Sequence, residues 1–521
     1  MDKVRQVWRA LAAGSAVALL LNACGGGGGT STPAVSVPTP PPASDGAFSD
    51  SNTYSNARSA SLATPNEQAA VVHTHMTLAG QQIDYTATSG HLSATDPGGH
   101  ATVSFFYVAY TADNKSAANR PLTFLYNGGP GSASMWLHMG AFAPKRIVAS
   151  MPATVMPSPT QFVENRESLL DVTDLVFVDP AGTGLSQAIT PNTNNNFWGV
   201  DSDAQSLRDF VRRYLAVNAR SASPLYLLGE SYGGPRTAVL ANLLETAGVR
   251  LTGVITQSPA MNYNSGCGLL DTEMGCEGYV PTYAAIGAYH QRSNPIPTDL
   301  NAYVMQARDF AAGAYRSAMS AFIASRIGPP LAVANQLSAY TGLSTLTWQQ
   351  DFNLKPGTFQ RTVLPGQLVG RYDARVAAAT GSALTAGGDP SLAVINNVFV
   401  ATMLNYLSTE LKYNARSAYL PSSDIINEWN FSHDGKQVPD TIPDLASAIF
   451  INPGLKVLSM SGMHDLATPF YQTELDYARM GSNPNITIRN YSGGHMTYLD
   501  DTARRAQKAD LLVFYGSTTG R

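Results

Sequence analysis

Leu225-Tyr226-Leu227-Leu228-Gly229-Glu230-Ser231-Tyr232-Gly233-Gly234-Pro235 is the stretch that decides the fold. A short apolar run of strand length enters Gly-Glu-Ser-Tyr-Gly, and a helical pattern opens near Pro235. Strand, sharp turn and helix together place Ser231 at the tip of the turn. The glycines leave room for a strained backbone that carries the hydroxyl out past the sheet edge. A lone G-x-S-x-G occurs by chance in many glycine-rich turns; this one has the flanking elements of a nucleophile elbow.

Apolar runs of strand length lie on either side, at 103–110, 122–126, 174–179, 252–257, 455–460 and 486–491. Helical patterns separate several of them, at 201–217, 235–246 and 501–514. Two alternating segments, 71–77 and 81–88, form a hairpin with Gly80 in its turn. Strands that alternate with helices imply a mostly parallel sheet covered on both faces, an α/β architecture. The rhythm breaks between 260 and 445, where Ala, Tyr, Ser and Asn are frequent and 299–325 and 390–412 have helical patterns. Such an insertion between sheet strands suits a largely helical cap. The core then occupies 67–259 and 446–521.

A serine hydroxyl is a poor nucleophile without a base. The chain order serine, acid, histidine is met by Asp465, just past the strand 455–460, and His495, in Gly493-Gly494-His495-Met496 past 486–491. Both fall at strand ends, the edge where such sheets bind ligands. His464 sits too close to Asp465 to be oriented by it, and Asp500 stands where a helix cap is expected. A second glycine-rich turn, Asn127-Gly128-Gly129-Pro130-Gly131, follows the strand 122–126. Its bare backbone can offer an N–H group to a developing oxyanion, together with the amide of Tyr232.

Four motifs in order, Asn127 to Gly131, Asp179 to Ser186, Gly229 to Gly234 and Gly494 to Met496, resemble the signatures of the serine carboxypeptidase family, most closely its bacterial branch. The resemblance spans about residues 68–515. It implies an α/β-hydrolase with a mostly parallel central sheet, helices on both faces and a largely helical cap insertion. It implies a triad of Ser231, Asp465 and His495, with oxyanion amides from Gly129 and Tyr232. The implied activity is release of C-terminal residues from peptides through an acyl-enzyme, with the substrate carboxylate held by Asn127, Gly128 and Glu230. No cofactor is implied. The family often carries a second glutamate beside the first and a tryptophan before the Asn; here those positions are Ala141 and Leu125. Glu230 is therefore expected to lack a partner that would raise its pKa. An esterase or acyltransferase using the same triad is the alternative chemistry, and a non-catalytic surface-binding protein is a third.

Charged residues are only 13% of the 521, and the net charge is −4. No long basic block supports nucleic-acid binding. Lys3, Arg5 and Arg9 precede the apolar run Leu11–Leu21 and then Asn22-Ala23-Cys24, so 1–24 is expected to be an export signal of lipoprotein type, with Cys24 lipidated. The expected product is exported and membrane-anchored, on the periplasmic or cell-surface side. Residues 25–66, rich in Gly, Ser, Thr and Pro, are expected to form a flexible linker. The remaining cysteines, Cys267 and Cys276, are expected to form one disulfide, and no ligand set at metal spacing stands beside them.

Overall fold

The computed structural model describes residues 44–267, 274–422 and 425–519. The export segment, Cys24 and the first part of the expected linker lie outside the described residues.

Among the described residues the main sheet has ten strands, the two-residue strand Gln187–Ala188 and nine longer ones: β1 (Ala69–Leu78), β2 (Gln81–Thr95), β3 (Ala101–Ala112), β4 (Leu122–Tyr126), β5 (Asp174–Val178), β6 (Leu225–Glu230), β7 (Gly253–Gln257), β8 (Lys456–Gly462) and β9 (Ile486–Tyr491). Across the sheet they run in the order β9-β8-β7-β6-β4-β5-β3-β2-β1, with the two-residue strand Gln187–Ala188 beside β3. The six from β4 to β9 are parallel, and β1, β2 and β3 extend the sheet antiparallel. After β4 the chain turns to β5 on one side and then to β6 on the other. The loops leaving β4 and β6 thus part at a topological switch point, where such sheets open a crevice.

β4 and β6 are buried along their whole length, which explains their largely apolar sequence. Their side chains alternate between two cores. Leu125, Tyr226 and Leu228 join one cluster with Leu511, Phe514 and Tyr515 of helix Asp501–Thr519. Phe124, Leu225 and Leu227 join the other with Leu207, Phe210 and Tyr214 of helix Val200–Val217. That helix buries Ala204, Leu207, Val211 and Leu215 on one stripe, the spacing of an amphipathic surface helix.

The insertion between β7 and β8 holds helices Val280–Tyr289, Leu300–Phe310, Arg316–Ser325, Leu331–Thr341 and Pro390–Thr409. Five residues in π-helical conformation, Ala311–Tyr315, link the second and third, so the helical pattern over 299–325 is realised without a break in direction. Tyr279, Tyr283, Trp348 and Phe359 pack there with Met463, Leu466 and Phe470 from the segment after β8. The insertion shares this core with the segment that follows β8. Cys267 and Cys276 are joined by a disulfide at its start.

The linker expected over 25–66 is corrected by the structure from residue 44 onward, so the packed chain begins before residue 67. Phe48–Asp50 pairs in parallel with Tyr413–Ala415. Asp50 Oδ2 accepts hydrogen bonds from the hydroxyls of Tyr54 (2.7 Å) and Tyr413 (2.6 Å). Tyr54 and Leu62 are buried. Composition averages hid this: a few aromatic groups, each with a distant partner, suffice to fix a segment that is polar overall.

A histidine clamp holds the exit of the insertion to two core helices. His433 Nδ1 lies 2.6 Å from Asp201, in the first turn of Val200–Val217, and Nε2 lies 2.8 Å from Asp444 in helix Ile442–Ile451. The Asp444 hydrogen bond, opposed by burial and helped by Asp201, lifts the imidazole pKa to about 9. The folded-state value lies above the unfolded value of about 6.5, so the stabilisation is fully present below about pH 6.5. It is lost as pH rises through about 9. Thermal midpoints measured between those values should fall in the wild type, and His433→Gln should flatten that part of the curve.

Candidate active site

Glu230 of β6, Gln257 of β7 and Met460 of β8 stand in register, so the parallel strands end together. Ser231 follows directly, with φ of +62°, a conformation that L residues rarely adopt. The strain is held by its surroundings: Ser231 N–H donates to Gln257 O (2.9 Å) and Ser231 O accepts from Gly234 N–H (2.9 Å). Gly229 is required here, since a Cβ would fall 2.1 Å from Gly233 O.

Asp465 and His495 are brought together as a pair. His495 Nδ1 lies 2.6 Å from Asp465 Oδ2, with both side chains buried. The other oxygen, Oδ1, accepts from the backbone N–H groups of Ala467 (2.7 Å) and Thr468 (3.1 Å). Burial opposes a charged imidazole, but the charge and hydrogen bond of Asp465 outweigh it, so the pKa of His495 is raised. With Nδ1 committed, Nε2 has no hydrogen-bond partner among the described residues. That is the nitrogen a base must present. The His495 loop is tied to the elbow's neighbours: His495 O accepts from Ser258 Oγ (2.7 Å) and Gln257 Nε2 (3.1 Å).

On the other side of Ser231 stands the loop after β4. Gly128 touches the elbow so closely that a Cβ would lie 2.4 Å from Tyr232 N and 2.6 Å from Glu230 O. Gly129 is exposed, at φ +103°. Among the described residues the N–H groups of Gly129 and Tyr232 have no partner within the chain, so both remain available as donors. Asn127 is buried, donating from Nδ2 to Glu230 Oε1 (2.8 Å) and accepting at Oδ1 from Leu137 N–H (3.0 Å). Glu230 Oε2 and the Tyr498 hydroxyl interact electrostatically, yet neither has a hydrogen-bond partner among the described residues.

Burial pushes the pKa of Glu230 up to about 7, with His495 pulling it down and Asp465 adding to the rise. A glutamate in place of Ala141 would have been one cause of a raised pKa, and the rise is present without it. Desolvation supplies what a second carboxyl would have supplied. His464, by contrast, has both ring nitrogens unpartnered among the described residues, and burial pushes its pKa down to about 3. Asp500 caps the last helix, accepting from Thr502 and Ala503 N–H (both 2.9 Å). Asp179 is a buried brace, accepting from Ser134 N–H (2.8 Å) and the Tyr419 hydroxyl (3.0 Å).

Three supports escaped the sequence. The Thr468 hydroxyl lies 2.7 Å from Asp465 Oδ2, 2.9 Å from Ser258 O and 3.0 Å from His495 Nδ1. A Thr three residues after a strand-end Asp is a local turn signal that could have found it. Arg236, fully buried, pairs with Asp203 (2.6 Å), bonds Asn127 O and lies over the rings of Tyr126 and Tyr232. It ties both glycine-rich turns to one helix. The third support is the segment 371–375, which threads between the Asp465 and His495 loops. Arg371 O accepts from Leu466 N–H (3.0 Å), Tyr372 O from His495 N–H (2.5 Å), and Ala374 N–H donates to His464 O (3.1 Å).

The strand order, with the elbow at the switch point beside β4, defines an α/β-hydrolase. Residues 78–291 match the family described as serine carboxypeptidase. Among curated relatives, the chain is 28% identical over 215 residues to a carboxypeptidase Y homolog of Arthroderma benhamiae, covering 41% of this chain and 37% of that one. It is 31% identical over 147 residues to serine carboxypeptidase-like 44 of Arabidopsis thaliana, covering 27% and 28%. The matches thus span about a third of those relatives' length. Among solved structures, a proline iminopeptidase from Mycobacterium smegmatis aligns over 83% of this chain and 98% of its own, with 13% identity and a TM-score of 0.35.

A fluorophosphonate probe should label the wild type and leave Ser231→Ala unlabelled. Ser231→Ala and His495→Ala should each lower turnover by several orders of magnitude. Gly128→Ala, which presses on the Tyr232 amide, should lower kcat by about a hundredfold or more while the circular dichroism spectrum is unchanged.

Proposed function

We propose that this chain is a serine-type carboxypeptidase. The observation that carries this reading is the Asn127–Glu230 pair, a buried carboxyl with a pKa near 7 beside the serine, which can receive a substrate carboxylate in its protonated form. A charged glutamate there would repel a peptide's C-terminus; a neutral one donates a hydrogen bond to it.

In this mechanism His495 Nε2 takes the Ser231 proton as Oγ attacks the scissile carbonyl. The amides of Gly129 and Tyr232 hold the oxyanion. The imidazolium, steadied by Asp465, passes its proton to the leaving amine, and the C-terminal residue departs. Water, deprotonated by His495, then hydrolyses the acyl-enzyme and regenerates the serine.

The pH dependence follows. Peptidase activity should rise as His495 loses its proton and fall as Glu230 loses its own near pH 7, giving a bell in kcat/KM. Glu230→Gln, neutral at every pH, should remove the alkaline limb for peptides, as pH–rate profiles would show. An unchanged profile would end the proton-holding role.

The second reading is an esterase or acyltransferase on the same triad, favoured by Leu125 and Ala141 in place of the family's tryptophan and second glutamate. A blocked dipeptide, its C-terminal amide and a p-nitrophenyl ester separate the two. A carboxypeptidase should cleave the free acid at least about tenfold better than the amide, whereas an esterase should be indifferent to the carboxylate.

Export with a lipid anchor on Cys24 belongs to the same proposal. The disulfide Cys267–Cys276 supports an oxidising compartment. Cys24→Ala should move the protein from the membrane fraction to the soluble fraction on ultracentrifugation, and retention in the membrane would overturn the anchor.

A further inference from the structure

The strap 371–375 carries two arginines with opposite fates. Arg375 is buried and saturated: it pairs with Asp373 (2.7 Å) and Asp500 (2.8 Å) and donates to Ser492 O (3.0 Å). Arg371 is exposed, and its guanidinium makes no ion pair and no hydrogen bond among the described residues. The backbone that carries it is nevertheless held in place. The backbone is pinned by Leu466 N–H on one side, and the adjoining Tyr372 ring stands 5.0 Å from the His495 ring.

The guanidinium acts electrostatically on His495 and on the phenols of Tyr263, Tyr279 and Tyr372. A cation there opposes protonation of His495, which the reaction itself requires. An uncompensated positive charge beside a catalytic imidazole is unfavourable unless something else supplies the counter-charge. The carboxylates nearby are already engaged. Asp465 serves His495, Asp373 serves Arg375, and Asp389 accepts from Ser391, Leu392 and Tyr372 N–H at the start of helix Pro390–Thr409. Glu230 is buried with Asn127.

We propose that Arg371 is a specificity-determining residue that binds a carboxylate of the bound substrate, either the terminal carboxylate or an acidic side chain flanking the scissile bond. The proposal rests on the hydrolase site above and deepens the peptidase reading. Once bound, the anion pairs with the guanidinium, removes its opposition to the imidazolium and orients the substrate.

The test uses the full-length protein and the variants Arg371→Gln, Arg371→Lys and Arg371→Glu. Two esters of similar size, p-nitrophenyl hemisuccinate and p-nitrophenyl butyrate, read carboxylate recognition without any peptide. Arg371→Gln should raise KM for the hemisuccinate about tenfold or more while KM for the butyrate stays within about twofold, and should shift kcat for both esters alike by less than about threefold. Arg371→Lys should restore part of the loss, and Arg371→Glu should deepen it. Three blocked dipeptides then identify the source: one neutral throughout, one acidic at the terminal residue and one acidic at the penultimate residue. Loss on all three assigns the terminal carboxylate; loss confined to an acidic peptide assigns that side chain. Equal changes on hemisuccinate and butyrate, or no change on either, would overturn the proposal. Failure of the wild type to cleave any peptide would sink the peptidase reading alone, because the ester comparison stands independently of it.

Discussion

The site depends on one close approach, the backbone of Asn127 and Gly128 against the turn that carries Ser231. No side chain fits between them: a Cβ on Gly128 would overlap both Tyr232 N and Glu230 O. Gly229 and Gly234 meet the same limit from the other side, against Gly233 O and the Pro259 ring. Two glycine-rich turns from neighbouring strands are thereby locked face to face, and the free amides of Gly129 and Tyr232 are a by-product of that locking. Arg236 fixes the arrangement from beneath by holding Asn127 O with a cation paired to Asp203.

Around this contact the protein concentrates buried ionisable groups that would be costly elsewhere. Each has a defined neighbour that sets its state. Asp465 receives two amides, a hydroxyl and an imidazole. Glu230 receives one amide donor from Asn127 and is driven toward its neutral form by desolvation. The two buried carboxyls thus differ in their hydrogen-bond supply.

Much of this was legible in the chain. The strand that leads into Ser231 is fully buried and opens as an apolar run, and the triad candidates fall at strand ends because parallel strands finish on one edge. What stayed hidden depends on pairs distant in sequence. Phe48–Asp50 looked like linker because its partners lie at 413–415. Thr468 and Arg236 are ordinary residues until the fold sets them beside Asp465 and Asn127. The raised pKa of Glu230 rests on burial, which the residue at position 141 does not report. Arg371 and Arg375 are indistinguishable by type; only Asp373 and Asp500 separate them.

The strap 371–375 has a bearing on how the proposed specificity can change. Because Arg371, Tyr372 and Ala374 hydrogen-bond to the loops of both Asp465 and His495, the helical insertion is sewn through the catalytic frame. A chimaera that exchanged the whole insertion for that of a homologue would cut those stitches and dislodge the base. Grafts that respect residues 371–375 keep the chemistry while replacing the walls around it, so diversification is channelled into the helices on either side of the seam.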